Sequence, residues 1–290
     1  MKIVFSRKGW DSSAGGGPSP IFPNGSIHSL PIPEPNSGIA ASSLTPPTLF
    51  HLGVPHLGPL FSNLSGRAGH SGATNVHVDP VPDPRICAAG TGITDAAFGQ
   101  DSAAASHLDN QGVGVGSLFL FFGLFRRIEK AGSNWRYVPQ APAIHLVWAW
   151  LHVGRVVYPG VSPIPAGLGH HPHVRRATSY PNNNRLYLPS GGFILAGKSI
   201  APSGVFGHYH PNRQLTQHGR PVGCSDWELP TWLVRGGKLA LSYHGGVAHH
   251  LAAPGATTVF FRSVGRGQEF VFDHALNPAG VDRYLGAVFS

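Results

Sequence analysis

Two long apolar segments constrain the fold of this chain more than any other feature. Ser117-Leu-Phe-Leu-Phe-Phe-Gly-Leu-Phe-Arg-Arg-Ile128 is dense in aromatic and aliphatic residues, and Ile144-His-Leu-Val-Trp-Ala-Trp-Leu-His-Val-Gly-Arg-Val-Val157 in β-branched and aromatic ones. Such runs fit strands. Joined by a polar loop, they predict a long antiparallel hairpin at the centre of a sheet. Composition agrees: 39 glycines and 27 prolines in 290 residues, with only 12% charged, disfavour long helices and favour strands linked by extended loops. At 41% hydrophobic, the chain lies outside the signature of disorder. The expected class is a β-rich α+β fold, mainly an antiparallel sheet or partly open barrel, with few short helices and long Gly/Pro-rich loops. No repeat or boundary divides residues 1–290, so one domain is expected.

Smaller elements follow from local signals. Residues 2–5 read as a short strand, and Asn75-Val-His-Val-Asp-Pro80 as another that ends at proline. Asp101 is a plausible N-cap for a helix stopped by Gly112, and Asn277-Pro278 opens a final helix whose Val281, Tyr284, Leu285 and Val288 share a face. Ser225-Asp-Trp-Glu228 has capping-box spacing, with Pro230 limiting any helix to about a turn. Residues 44–61 read as an ordered loop whose apolar side chains are either core or a dimer contact. Residues 159–185, rich in Pro, Gly, His and Asn, read as a mobile or substrate-contacting loop.

The net charge of +8, from 21 basic and 13 acidic residues, suits a nucleotide or nucleic-acid partner. Cys87 and Cys224, far apart, make neither a disulfide framework nor a metal motif, and a reducing cytoplasm is the simplest setting. The start of the chain lacks the apolar core of a signal peptide, because Arg7 and Lys8 arrive after one short strand. No apolar run is long enough to span a bilayer, so no membrane association is expected.

The candidate chemistry begins where the first strand ends. Arg7 and Lys8 precede Trp10, Asp11, Ser12, Ser13, Gly15 and Gly16, and glycines beside cations let backbone amides approach a phosphate. Neither a Walker A nor a dinucleotide fingerprint is present, and the same loop also reads as a long hairpin connection. Alternation along a continued strand would turn only one of Arg7 and Lys8 toward a site. Asp11 is a candidate base, Ser12 and Ser13 offer hydroxyls, and Trp10 is placed to stack on a base. His77 and Asp79, two apart on a strand, point to one face as an oriented base or as two metal ligands. Asp83, His107 and Asp109 are residues that can converge with them. The 18 histidines include His208 and His210, the better-spaced pair for a metal, and His170, His171 and His173, expected to be solvated or to touch substrate. Trp148 and Trp150 are expected to share a strand face.

Taken together, Phe5-Ser-Arg-Lys-Gly-Trp-Asp-Ser-Ser-Ala-Gly-Gly-Gly-Pro-Ser-Pro-Ile21, Leu118-Phe-Leu-Phe-Phe-Gly123, His145-Leu-Val-Trp-Ala-Trp-Leu-His-Val-Gly154 and Gly265-Arg-Gly-Gln-Glu-Phe-Val-Phe-Asp273 resemble the third nucleotide-modification-associated domain family. The family pattern carries an acidic residue after the glycine before the aromatic strand, where this chain has Gly116-Ser117. The resemblance implies a bacterial or phage protein associated with modified nucleotides, without a defined reaction or cofactor. The resulting expectation is an enzyme acting on a nucleotide or a base in nucleic acid, with Asp11, His77 and Asp79 as its acid–base groups. The alternative is a non-catalytic module that binds modified DNA or RNA.

Overall fold

The protein is described by a computed structural model that covers all residues except 68, 180–182, 220–222, 252, 254 and 266. Part of the 159–185 loop, and Arg266 of the family-like block, therefore lie outside the described residues.

Leu118–Ala131 and Ile144–Val157 are strands, paired antiparallel from Leu118 opposite His152 to Phe125 opposite Ile144. The connection is more than a loop, because Asn134–Tyr137 folds back as a short strand on the first of them. Their near-continuous hydrophobicity follows from burial on both faces. Leu118, Leu120 and Phe122 enter one core with Trp227, Phe270 and the final helix, while Phe119, Phe121 and Phe125 enter another with Phe98 and Tyr187. A bulge lets Phe121 face Ala149 and Phe122 face Val147, leaving Trp148 as the extra residue. Trp148 thereby joins the Phe119 core while Trp150 packs on Phe206 and Phe289 on the other side, so the two tryptophans do not share a face.

Around this pair runs a nine-stranded, mostly antiparallel sheet that curls into a half-barrel. Its main path is Glu269–Asp273, Lys2–Arg7, Leu118–Ala131, Ile144–Val157, Arg185–Pro189 and Phe98–Gln100. Lys2–Arg7 is parallel to Leu118–Ala131 and antiparallel to Glu269–Asp273, which wedges the start of the chain between two later strands.

The helices are few and short. Asn277 Oδ1 accepts from Gly280 N to cap Pro278–Val288, and Val281, Leu285 and Val288 are buried from it. Ser225–Glu228 differs from its capping-box reading. Asp226–Pro230 is a strand, because burying Trp227 opposite Phe261 outweighs one turn of helix. Most apolar residues of 44–61 are core, with Leu44, Leu49, Val54, Leu57, Leu60 and Phe61 buried through short helical turns, while Phe50 is exposed. Among the described residues no helix is long and apolar enough to cross a membrane.

Two buried histidines make the fold acid-sensitive. Burial pushes His28 down to about 4, and burial together with the charge of Arg7 pushes His145 down to about 3. Both are neutral in the folded protein but take up a proton near pH 6.5 once unfolded. Their contribution is complete above that value and is lost as pH falls toward 4, at about 1.4 kcal/mol per unit of pH for each group. Urea midpoints measured from pH 7 to 4.5 are expected to fall steadily; a flat profile would contradict this account.

Candidate active site

The first strand ends at Arg7, and Gly9, with φ of +90°, turns the chain away from the sheet. A cavity of about 210 Å³ opens there. One wall is the 7–14 segment, through Arg7, Lys8, Asp11 and Ser13; facing it are His77 and Asp79, Gly99 to Asp101, and His173. The loop and the His-x-Asp pair, about seventy residues apart in sequence, thus border one cavity. Arg7 and Lys8 both reach it, because the strand stops before Lys8 and alternation no longer applies.

The two cations differ in their partners. Lys8 Nζ lies 3.1 Å from Glu269 Oε1 and 4.7 Å from the Phe98 ring centre, and Gln100 Nε2 donates to the same carboxylate at 2.6 Å. Arg7 makes no ion pair among the described residues. Its Nη2 donates to Val264 O at 3.3 Å and its buried Nε has no partner. Burial holds the Arg7 guanidinium below its usual pKa, opposed by the charge of Asp11.

Several amides of the glycine loop are engaged within the loop itself. Asp11 Oδ1 accepts from Ser13 N, Ser13 Oγ and Ala14 N, each at 2.7 Å, and Gly16 N donates to Asp11 O. These groups satisfy the loop itself. Trp10 also departs from expectation: its indole has no exposed surface and packs edge-on against Phe61, 4.6 Å between ring centres. It anchors the loop from beneath and is not available to stack on a base. Gly15 lies on that indole, where a Cβ would approach Cγ to 2.4 Å at φ of +95°. Gly15→Ala is therefore expected to cost about 2–4 kcal/mol, from overpacking plus the strained backbone, read as a lowered urea midpoint. Gly16 lies against Arg67, and neither glycine lines the cavity. Ser12 is exposed and is not among its lining residues.

The opposite wall is a buried network. Val76–His77 pairs with Ile32–Pro33 and places His77 Nδ1 2.9 Å from Glu34 Oε2. Glu34 is itself ion-paired with Arg176. His77 Nε2 lies 3.8 Å from Asp79 Oδ2, so the pair shares a face. Asp79 Oδ1 accepts from Gly99 N at 2.7 Å and lies 3.2 Å from His171 Nε2. His173 Nδ1 donates to Asn184 Oδ1 at 2.7 Å, and Asn184 Nδ2 returns to the His173 carbonyl. One donor atom from each of His77, Asp79 and His173 lies within 4.8 Å of the others, a spacing that fits metal ligation.

Charge in this network is strongly partitioned. Burial opposes a charge on His77, but hydrogen bonds and attraction to Asp79 and Glu34 prevail and raise it to about 9. Burial likewise opposes ionisation of Asp79, yet His171 and His77 hold it well below the usual carboxylate range. His173 is pushed down to about 4, chiefly by burial. Asp101 is raised, mainly by burial, against the nearby charges of His77 and Lys8.

Several of these residues were not legible as site residues. Asp101 precedes the helix Ser102–Asn110, but its side chain makes no cap bond and borders the cavity instead. His171 and His173 sit in a Pro/Gly-rich segment where they are expected to be solvated or to touch substrate; both are buried, His171 beside Asp79 and His173 lining the cavity. Other candidates lie elsewhere. Asp83 caps Pro84–Cys87 and pairs with Arg85, Asp109 pairs with Arg185, and His107 meets Ser242. His208 Nε2 meets Ser26 Oγ and His210 Nδ1 accepts from Asn212 N, so each serves local structure. Neither joins a three-ligand group among the described residues.

Comparison with known families decides the lineage. The model of nucleotide modification associated domain 3 matches residues 2–273. The chain belongs to that family. The family description ties it to nucleotide modification and names no reaction. No curated protein and no solved structure matches the chain. The match takes in every residue of the cavity, from Arg7 to Gln268.

Proposed function

We propose that this family member is an enzyme acting on a nucleotide or on a base in nucleic acid, with the 210 Å³ cavity as its reaction site. The observation that carries the reading is the meeting, in one cavity, of a half-buried arginine that has no ion-pair partner among the described residues and the His77–Asp79–His173 cluster, with Asp101 alongside. A charge drawn partly out of water is costly unless paired. An anionic ligand group, such as a phosphate, supplies the missing partner for Arg7 through a charge-assisted contact. Lys8 is matched by Glu269 and sets the shape of that wall. Asp11 acts as a positioning residue, because three donors converge on its Oδ1 to hold the loop. Acid–base work then falls to Asp101, whose carboxyl borders the same cavity, and the reactive centre is the His77–Asp79–His173 wall. The cavity is smaller than the roughly 300–1,000 Å³ of drug-sized ligand pockets, which suits a single reacting group better than a length of polymer.

Calorimetry of the full chain with mononucleotides, modified mononucleotides and short DNA tests this. Saturable mononucleotide binding is expected, weakened about 10- to 100-fold in Arg7→Ala, as for loss of a contact to a charged group. Asp101→Asn is expected to bind comparably and to lose turnover. Binding to oligonucleotides alone, equal in wild type and Arg7→Ala and steeply salt-dependent, overturns the reading in favour of a nucleic-acid-binding module.

A further inference from the structure

The hydrogen bonds behind the cavity wall carry more than charge partition. Each member of the His77–Asp79–His173 cluster is gripped from behind by a different group. Glu34 Oε2 accepts from His77 Nδ1–H, which turns Nε2 toward Asp79 and makes it the nitrogen that a metal ion would take in place of a proton. Asn184 Oδ1 accepts from His173 Nδ1–H and so fixes the tautomer with its lone pair on Nε2; the return bond from Asn184 Nδ2 to the His173 carbonyl settles which way the amide points. Asp79 spends Oδ1 on Gly99 N and on the nearby His171 ring, while Oδ2 is the atom turned toward His77. His171 is fixed in its turn, because its Nδ1 accepts from His173 N and its Nε2 is the atom beside Asp79. Two imidazoles and one carboxylate, each oriented by an outer carboxylate, amide or backbone group, are what a metal centre requires, with supporting partners as well as ligands.

We propose that His77 Nε2, Asp79 Oδ2 and His173 Nε2 form the binding site of a divalent first-row transition ion, with its remaining positions open to the cavity beside Arg7 and Asp101. The donor set selects the ion class. Imidazole suits iron, cobalt, nickel and zinc, whereas Mg²⁺ and Ca²⁺ favour all-oxygen sites. Two histidines and one carboxylate on one wall leave coordination positions for substrate or water, unlike the closed four-ligand sites that serve structure alone. Gly99 contributes by having no side chain, since a Cβ there would meet the His173 ring at 2.2 Å. The inference deepens the proposed function, by giving the reactive wall its ion, but its test is independent of any nucleotide.

The full-length protein, stripped with chelator, is titrated with Co²⁺ by calorimetry and visible absorption, with Mg²⁺ as control. One Co²⁺ per chain is expected, with ligand-field bands and no comparable uptake of Mg²⁺. Asp79→Ala and His173→Ala are expected to lose Co²⁺ binding, and Glu34→Gln to weaken it by about 10-fold or more, as for loss of an outer-shell partner. X-ray absorption of Co²⁺-loaded wild type, which needs no variant to fold, is expected to show two imidazoles and only oxygen besides. Absence of stoichiometric binding, a thiolate in the shell, or unchanged affinity in correctly folded Asp79→Ala overturns the proposal. Metal binding without mononucleotide binding would instead sink the nucleotide reading and leave the metal centre standing. Mononucleotide binding without Co²⁺ uptake would do the reverse.

Discussion

Truncating Trp227 to alanine is expected to lower the unfolding free energy by about 4 kcal/mol or more, the upper part of the range for large-to-small core changes. The indole has no exposed surface and stands among the rings of Phe122, Phe270, Phe5 and Phe261, at 5.2, 5.8, 6.0 and 6.0 Å between centres. Those rings come from four different strands, three of them in the main sheet, so one truncation loosens the contact of the Asp226–Pro230 strand with that sheet. A polar penalty adds to the cavity. Trp227 Nε1 donates to His145 Nδ1 at 2.9 Å, and the truncation leaves a buried acceptor unpaired. Trp227→Phe separates the two parts, since it keeps most of the ring contacts and loses only the hydrogen bond, at about 1–3 kcal/mol. Urea denaturation of the three proteins reads both numbers. A loss below about 1 kcal/mol in Trp227→Ala would show that this core is less tightly packed than described.

Gly99→Ala is expected to empty the site with far less damage to the fold. The added methyl lies 2.2 Å from His173 Cδ2 and 2.5 Å from Cγ. The ring is buried and tied to Asn184, so it must be expelled from its place or drag the 98–100 edge strand with it. Either movement also disturbs the Gly99 N–H that Asp79 Oδ1 accepts. Overpacking of this kind costs about 1–3 kcal/mol of stability. Co²⁺ affinity is expected to fall about 100-fold, at the strong end of outer-shell perturbations. Gly99→Ala with wild-type metal affinity and an unchanged melt would mean that His173 is not held where the cluster needs it.

The legible parts of this protein are those governed by neighbours in sequence. Residues 117–128 and 144–157 announced themselves as strands because both faces of their first halves are buried, which requires near-continuous hydrophobicity there. The final helix was readable from Asn277-Pro278 because a cap and a first-turn proline act within one turn. His77 and Asp79 were readable as a pair because two residues apart on an extended segment share a face.

Other assignments failed where a distant contact outweighed the local signal. Asp101 has the sequence position of a cap but borders the cavity, and Trp10 has the neighbours of a ligand-binding loop but the burial of a core residue. The parity change at Trp148 has no local signal, since a bulge is set by register against the partner strand. His173 was indistinguishable from its neighbouring histidines, because only the approach of the Gly99 backbone and Asn184 separates a buried imidazole from a solvated one.

The sequence by itself determined the β-rich class, the central hairpin, the family and the His77–Asp79 pair, all of which rest on spacing within a single segment or on blocks in fixed order. Tertiary structure alone decided that the Arg7 loop faces that pair, that Asp101 and His173 complete the wall, and that Glu34, Asn184 and His171 orient it. Those contacts join segments tens of residues apart, and their geometry comes from how the strands pack around the cavity, a quantity that no local pattern encodes.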